Sequence, residues 1–148
     1  MTMPRNARQS ATQHPHPSVG LISKAEFESI AAFRYALRKF VRMSEQAARR
    51  ARITPQQHAL LLAIRGFPHR DYANVSELAD RMQMRQHSMV GLIDRTVAQG
   101  LVRREQGTAD RRHVFVYLTP AGMALLERLS AEHQRELLTM GEALLLPE

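Results

Sequence analysis

Between Asn74 and Thr119 the chain carries a short helical pattern, a tight break, a second helical pattern and two short alternating segments, and few folds accept that order. Asn74 stands as an N-cap with Glu77 three residues on as its capping-box partner, and Leu78, Ala79 and Met82 form the buried side of the first helix. A turn around Gln83 to Arg85 leads into a helix over roughly Gln86 to Gln99, whose inward stripe reads as Val90, Ile93 and Val97. Gly100 follows where a helix end favours a left-handed residue. Leu101 to Glu105 and Val114 to Leu118 read as strands, because Val114, Val116 and Leu118 alternate with Phe115 and Tyr117. The turn Gly107-Thr108-Ala109-Asp110 joins them into a predicted β-hairpin.

The flanks are helical. Ser23 caps a long pattern reaching about Arg52, with Glu26 completing the box and Phe27, Ile30, Phe33, Leu37, Phe40 and Val41 at helical spacing. Its apolar stripe is wide, which suits a helix central to its own domain or packed on a partner chain. Thr54-Pro55 opens a second helix through Leu60, Leu61, Ala63 and Ile64 that stops at Gly66 and Pro68, and His69 to Ala73 reads as a polar connection. Thr119-Pro120 repeats that cap and starts a last helix through Leu125, Leu126, Leu129, Leu137 and Leu138. The expected fold is therefore mainly α with a small β-hairpin wing (α+β), a winged helix-turn-helix over about 54–119. Long dimerisation helices flank it at about 23–52 and 120–146, in one domain over 21–148, with residues 1–20 a disordered tail.

Composition narrows the class. The chain has 148 residues, enough to bury about two-thirds of its unfolded surface. It has no cysteine, which removes disulfide frameworks, thiolate zinc sites, thiol redox switches and cysteine nucleophiles. No stretch approaches the roughly 20 apolar residues of a membrane span, so the default expectation is a soluble cytoplasmic protein. Net charge is +7, and all but two of the 21 basic residues are arginine. Seven of them (Arg81, Arg85, Arg95, Arg103, Arg104, Arg111, Arg112) face only Asp94, Glu105 and Asp110 in one segment, a concentration expected of a nucleic-acid face. No Gly-rich phosphate loop, paired acids or nucleophile setting supports an enzyme. Apart from His14 and His16 in the tail the histidines show no metal spacing, and neither cofactor nor metal is expected.

Three stretches carry a family resemblance: VSELADRMQMRQHSMVGLIDRTVAQGLVRR from Val75, DRRHVFVYLTPAG from Asp110, and, more weakly, ITPQQHALLLAI from Ile53. Together they resemble the MarR-type transcriptional regulators over about residues 24–146. The resemblance implies a homodimer on double-stranded DNA and a small, often aromatic or anionic, effector between the dimer helices and the DNA-binding lobe. Phe33, Tyr35, Phe40, His58 and Arg65 are candidate liners, but such residues are more often core or surface, so the ligand site stays open. The chain departs from the family in two ways. It stops at Leu144–Glu148 without the usual further helix, so the C-terminal part of the interface is expected to be short or replaced by the first helix. Some members sense oxidants through a cysteine that is missing here.

Within that motif a recognition helix lays its N-terminal residues against base edges in the major groove. Here these are Arg85, Gln86, His87, Ser88 and Met89: Gln matches adenine, Arg matches guanine, and Met89 is read either as a contact to a thymine methyl or as core. Ser88 and Arg95 suit phosphates, as does Ser76 at the start of the preceding helix, where plain exposure to water fits equally well. By resemblance Arg112 enters the neighbouring minor groove, Asp110 orients it, and Arg111 lies on phosphates. Only one of Arg103 and Arg104 can face DNA, because strand side chains alternate. The rival expectation is a winged-helix module that binds protein without reading DNA.

Overall fold

Side-chain caps decide where the helices begin. In the computed structural model, which describes residues 20–144, Ser23 Oγ accepts the Glu26 amide at 3.2 Å and Glu26 accepts the Ser23 amide at 2.6 Å. This box opens α1 (Lys24–Arg50), and its bonds, the Ser23 amide foremost, hold the Glu26 carboxyl below its ordinary range. Thr54 and Gln57 exchange the same pair of bonds at 3.1 and 2.9 Å, with Pro55 as the first residue of α2 (Pro55–Arg65). Residues 1–19, with His14 and His16, lie outside the described residues, as do 145–148.

The stretch expected as a polar connection differs from that reading at its end. Tyr72–Asn74 is a strand, β1, paired antiparallel to β3 (Val114–Leu118) with Tyr72 opposite Tyr117 and Asn74 opposite Phe115. Ala73 is fully buried there, and the Tyr72 ring stacks on Tyr117 at 5.1 Å. β2 (Val102–Gln106) pairs with the other edge of β3, giving a three-stranded sheet in the order β1-β3-β2. Asn74 ends β1 and at the same time caps α3 (Val75–Arg81), its Oδ1 accepting the Glu77 amide at 2.9 Å. The return half of the expected capping box is replaced: Glu77 takes Asn74 Nδ2 at 3.1 Å and the Arg70 guanidinium at 2.7 Å. The turn after α3 passes through Gln83 in the left-handed region at φ 51 and delivers the chain to α4 (Gln86–Ala98).

On α4 the inward stripe is Met89, Leu92, Ile93 and Thr96, one residue out of phase with the expected Val90, Ile93 and Val97. Thr96 belongs inside because its hydroxyl is satisfied by the Leu92 carbonyl at 2.7 Å. Val97 is half-buried and Val90 is 40% exposed. Leu60, Leu61 and Ile64 of α2, Leu78 of α3, Val102 of β2 and Val116 of β3 close around this stripe. α5 (Pro120–Leu144) starts on Thr119, whose Oγ1 accepts the Gly122 amide at 3.1 Å and whose own amide donates to the Leu101 carbonyl at 3.0 Å. Its Leu125, Leu126 and Leu129 join Ala47 and Ala48 of α1 in the same core.

Most of α1 finds no cover among the described residues. Phe27 is 57% exposed, and Ile30, Phe33, Leu37 and Val41 are exposed too, as are Leu137 and Leu138 on α5. Full burial on α1 is confined to Ala47 and Ala48, so most of the wide apolar stripe is not spent on its own domain.

Where α1, α2 and α5 meet, the buried rings of His58 and His133 lie 5.0 Å apart, with Phe40 edge-on to His133 at 5.8 Å. His133 Nδ1 donates to the Leu129 carbonyl, and its Nε2 has no hydrogen-bond partner among the described residues. Burial, and after it the charge of His133, lowers the His58 pKa below its ordinary 6.5. Above that value both folded and unfolded chains hold a neutral imidazole. Below it the unfolded chain takes up a proton that the fold resists, so stability falls as pH drops. Between about pH 7.5 and about pH 5.5 the urea midpoint should therefore fall further in the parent than in His58→Gln. Equal falls in the two proteins would remove His58 as the cause.

Candidate nucleic-acid interface

The start of α4 is laid open by its own packing. With Met89 fully buried beneath, Arg85, Gln86, His87 and Ser88 are all exposed. Met89 is thereby corrected: a side chain with no accessible surface touches no base, and the core half of the earlier alternative holds. Arg85 is the N-cap residue in extended backbone (ψ 149) and makes no side-chain cap bond, so the first amides of α4 carry no internal side-chain acceptor. Gln86 Nε2 donates to Ser76 Oγ at 3.0 Å, which ties the first turns of α3 and α4 together. Arg85, His87, Ser88 and Arg95 line one open depression with Gln56, Met84 and Gly91. Arg95 folds along Gly91, its Nη1 3.4 Å from where a Cβ would stand.

The hairpin tip is ordered by Asp110. Its Oδ1 accepts the Arg112 backbone amide at 2.9 Å and lies 3.4 Å from Arg112 Nε, and its Oδ2 is 3.5 Å from His113 Nε2. Gly107 is required here: a Cβ on it would meet the Asp110 carbonyl at 2.8 Å, while its amide donates to the His113 carbonyl at 2.8 Å. The tip thus presents Arg112 with its side chain 92% exposed, and the exposed Arg111 beside it.

Neither strand arginine is free. Arg103 pairs with Glu105 and lies 4.6 Å over the Tyr117 ring on the outer face of the sheet. Arg104, on the other face, reaches Asp94 of α4 and pins wing to helix. The pairing of Arg104 with Asp94 and the exposure of Val90 were not anticipated. Both are available only once α4 is phased on Thr96, which reads as polar until its hydroxyl is given an acceptor.

Among the described residues no three His, Cys, Asp or Glu side chains gather as metal ligands, and no helix is long and apolar enough to cross a membrane.

A short helix, a turn, an exposed second helix held to a three-stranded sheet, and an arginine-tipped hairpin define a winged helix-turn-helix protein. Residues 53–113 match the model of the MarR family. No curated protein sequence matches the chain. Among solved structures, the chain is similar to AbsC, a MarR family transcriptional regulator from Streptomyces coelicolor, at 21% identity and a TM-score of 0.66 over 86% of this chain and 85% of that one. It is similar to a MarR mutant from E. coli at 25% identity and a TM-score of 0.60, over 70% and 77% of the two chains. A MepR mutant from S. aureus, bound to an oligodeoxyribonucleotide, aligns at 19% identity with a TM-score of 0.63, over 80% and 84%.

Proposed function

We propose that this protein is a sequence-specific, DNA-binding transcriptional regulator that acts as a homodimer on a near-palindromic operator, as a ligand-responsive repressor in the cytoplasm. The observation that carries the reading is the wing tip. An exposed ion pair adds little to stability, yet Asp110 holds both the backbone and the guanidinium side of an arginine that bonds no other described residue. Such ordering of an exposed arginine supports a role toward something outside the chain, and its charge suits a narrow minor groove. Arg85, Gln86 and His87 then sit at base edges, while Ser76, Ser88, Arg95 and Arg111 sit on phosphates. That a MepR mutant of similar fold was solved bound to an oligodeoxyribonucleotide supports DNA as the partner.

The uncovered apolar side chains of α1 and α5 support a two-fold partner, and half-sites about one helical turn apart would follow. A small aromatic or anionic effector would act by favouring one separation of the recognition helices over another.

Binding to the DNA upstream of the chain's own gene, measured against salt, tests the proposal. A regulator making about 6–10 phosphate contacts should lose roughly a thousandfold or more in affinity between about 50 and 200 mM salt. It should also prefer a palindrome. No binding at low salt would overturn the reading in favour of a protein-binding winged helix.

A further inference from the structure

We propose that Val90 is a specificity-determining residue that reads the C5 methyl of a thymine in the major groove, an inference that rests on the DNA-binding reading above. Gln86, Val90 and Asp94 follow one another at a spacing of one turn along the outward side of α4. The two polar members of this stripe are engaged inside the protein, Gln86 with Ser76 at 3.0 Å and Asp94 with Arg104. Val90 lies between them, 40% exposed, and belongs to no part of the buried core.

The stripe's polar ends set the size of what fits. An apolar spot of one valine bounded by an amide and a carboxylate is far too small for a protein interface, which buries roughly 800 Å² per partner. It matches a single methyl group, and the only methyl on the floor of the major groove belongs to thymine. The thymine-reading role considered for Met89 thus passes to its neighbour, since Met89 is turned into the core.

The test uses the full chain and a random oligonucleotide pool. Once a preferred site is selected, each thymine in it is replaced in turn by deoxyuridine, which removes the C5 methyl and leaves pairing unchanged. One thymine per half-site should weaken binding about fourfold on losing its methyl, the scale of one buried methylene. In Val90→Ala, whose thermal melt should match the parent because the side chain lies outside the core, that same replacement should have no effect. A Val90→Ala protein that keeps the parent's thymine-to-deoxyuridine ratio would overturn the proposal, as would a site at which no methyl matters. A pool that yields no enriched sequence would instead overturn the DNA-binding reading, and this proposal with it.

Discussion

Gly122→Ala is expected to destabilise the fold by about 3 kcal/mol or more, lowering the melting temperature by roughly 10 °C. The cause is space rather than backbone conformation. A Cβ at this position would stand 2.0 Å from the Leu101 carbonyl oxygen and 2.9 Å from its carbon. Neither atom can retreat cheaply. The Leu101 oxygen accepts the Thr119 amide at 3.0 Å, and Thr119 in turn caps Gly122 at 3.1 Å and bonds the Gly100 carbonyl. To admit the methyl, the start of α5 must lift from the corner between α4 and β2, exposing Leu125 and Leu126 with it. Gly100→Ala is the contrast: its neighbourhood is open and only its φ of 73 resists, so about 1 kcal/mol is expected. A Gly122→Ala melt within about 2 °C of the parent would show that this corner yields.

Arg112→Ala should leave the melt unchanged and weaken DNA binding about a hundredfold, roughly tenfold for each wing of a dimer. The side chain contributes no packing, being 92% exposed, so any change must come from what it meets outside the chain. Asp110→Ala sharpens the test. Counting charge alone, removing a carboxylate from a DNA-facing tip should tighten binding. If Asp110 works by holding the Arg112 amide and guanidinium in place, binding should weaken instead. Unchanged affinity in Arg112→Ala would refute the wing assignment and leave the start of α4 to carry recognition by itself.

Legibility in the sequence followed the range of the interaction. The starts at Ser23, Thr54, Asn74 and Thr119 were readable because each is a side chain bonding an amide three residues on. β1 was not, because Tyr72, Ala73 and Asn74 become a strand only by pairing with β3, far along the chain. Gly100 announced the end of α4, whereas α1 and α3 end on left-handed Arg52 and Gln83, which carry no glycine signal. The outward position of Arg85, Gln86, His87 and Ser88 followed from the motif. The one-residue shift that buries Met89 and frees Val90 did not, because a buried threonine looks polar until its bond to Leu92 is seen. The His58–His133 contact joins α2 to α5, a pairing that no local spacing encodes.

Asn74 is both the last residue of β1 and the cap of α3, so the sheet and the helix-turn-helix share an atom-level joint with no linker between them. The Arg104–Asp94 ion pair, largely exposed, adds a weaker second contact from β2 to α4. The shared residue leaves no linker across which wing and reading helix could articulate freely. Each subunit therefore has a fixed bite. In the dimer proposed above, an effector bound at the long helices would act on the placement of the whole reading head relative to its twin. Mutations that loosen either contact should show up as degraded discrimination between sites in a protein that still responds to its signal.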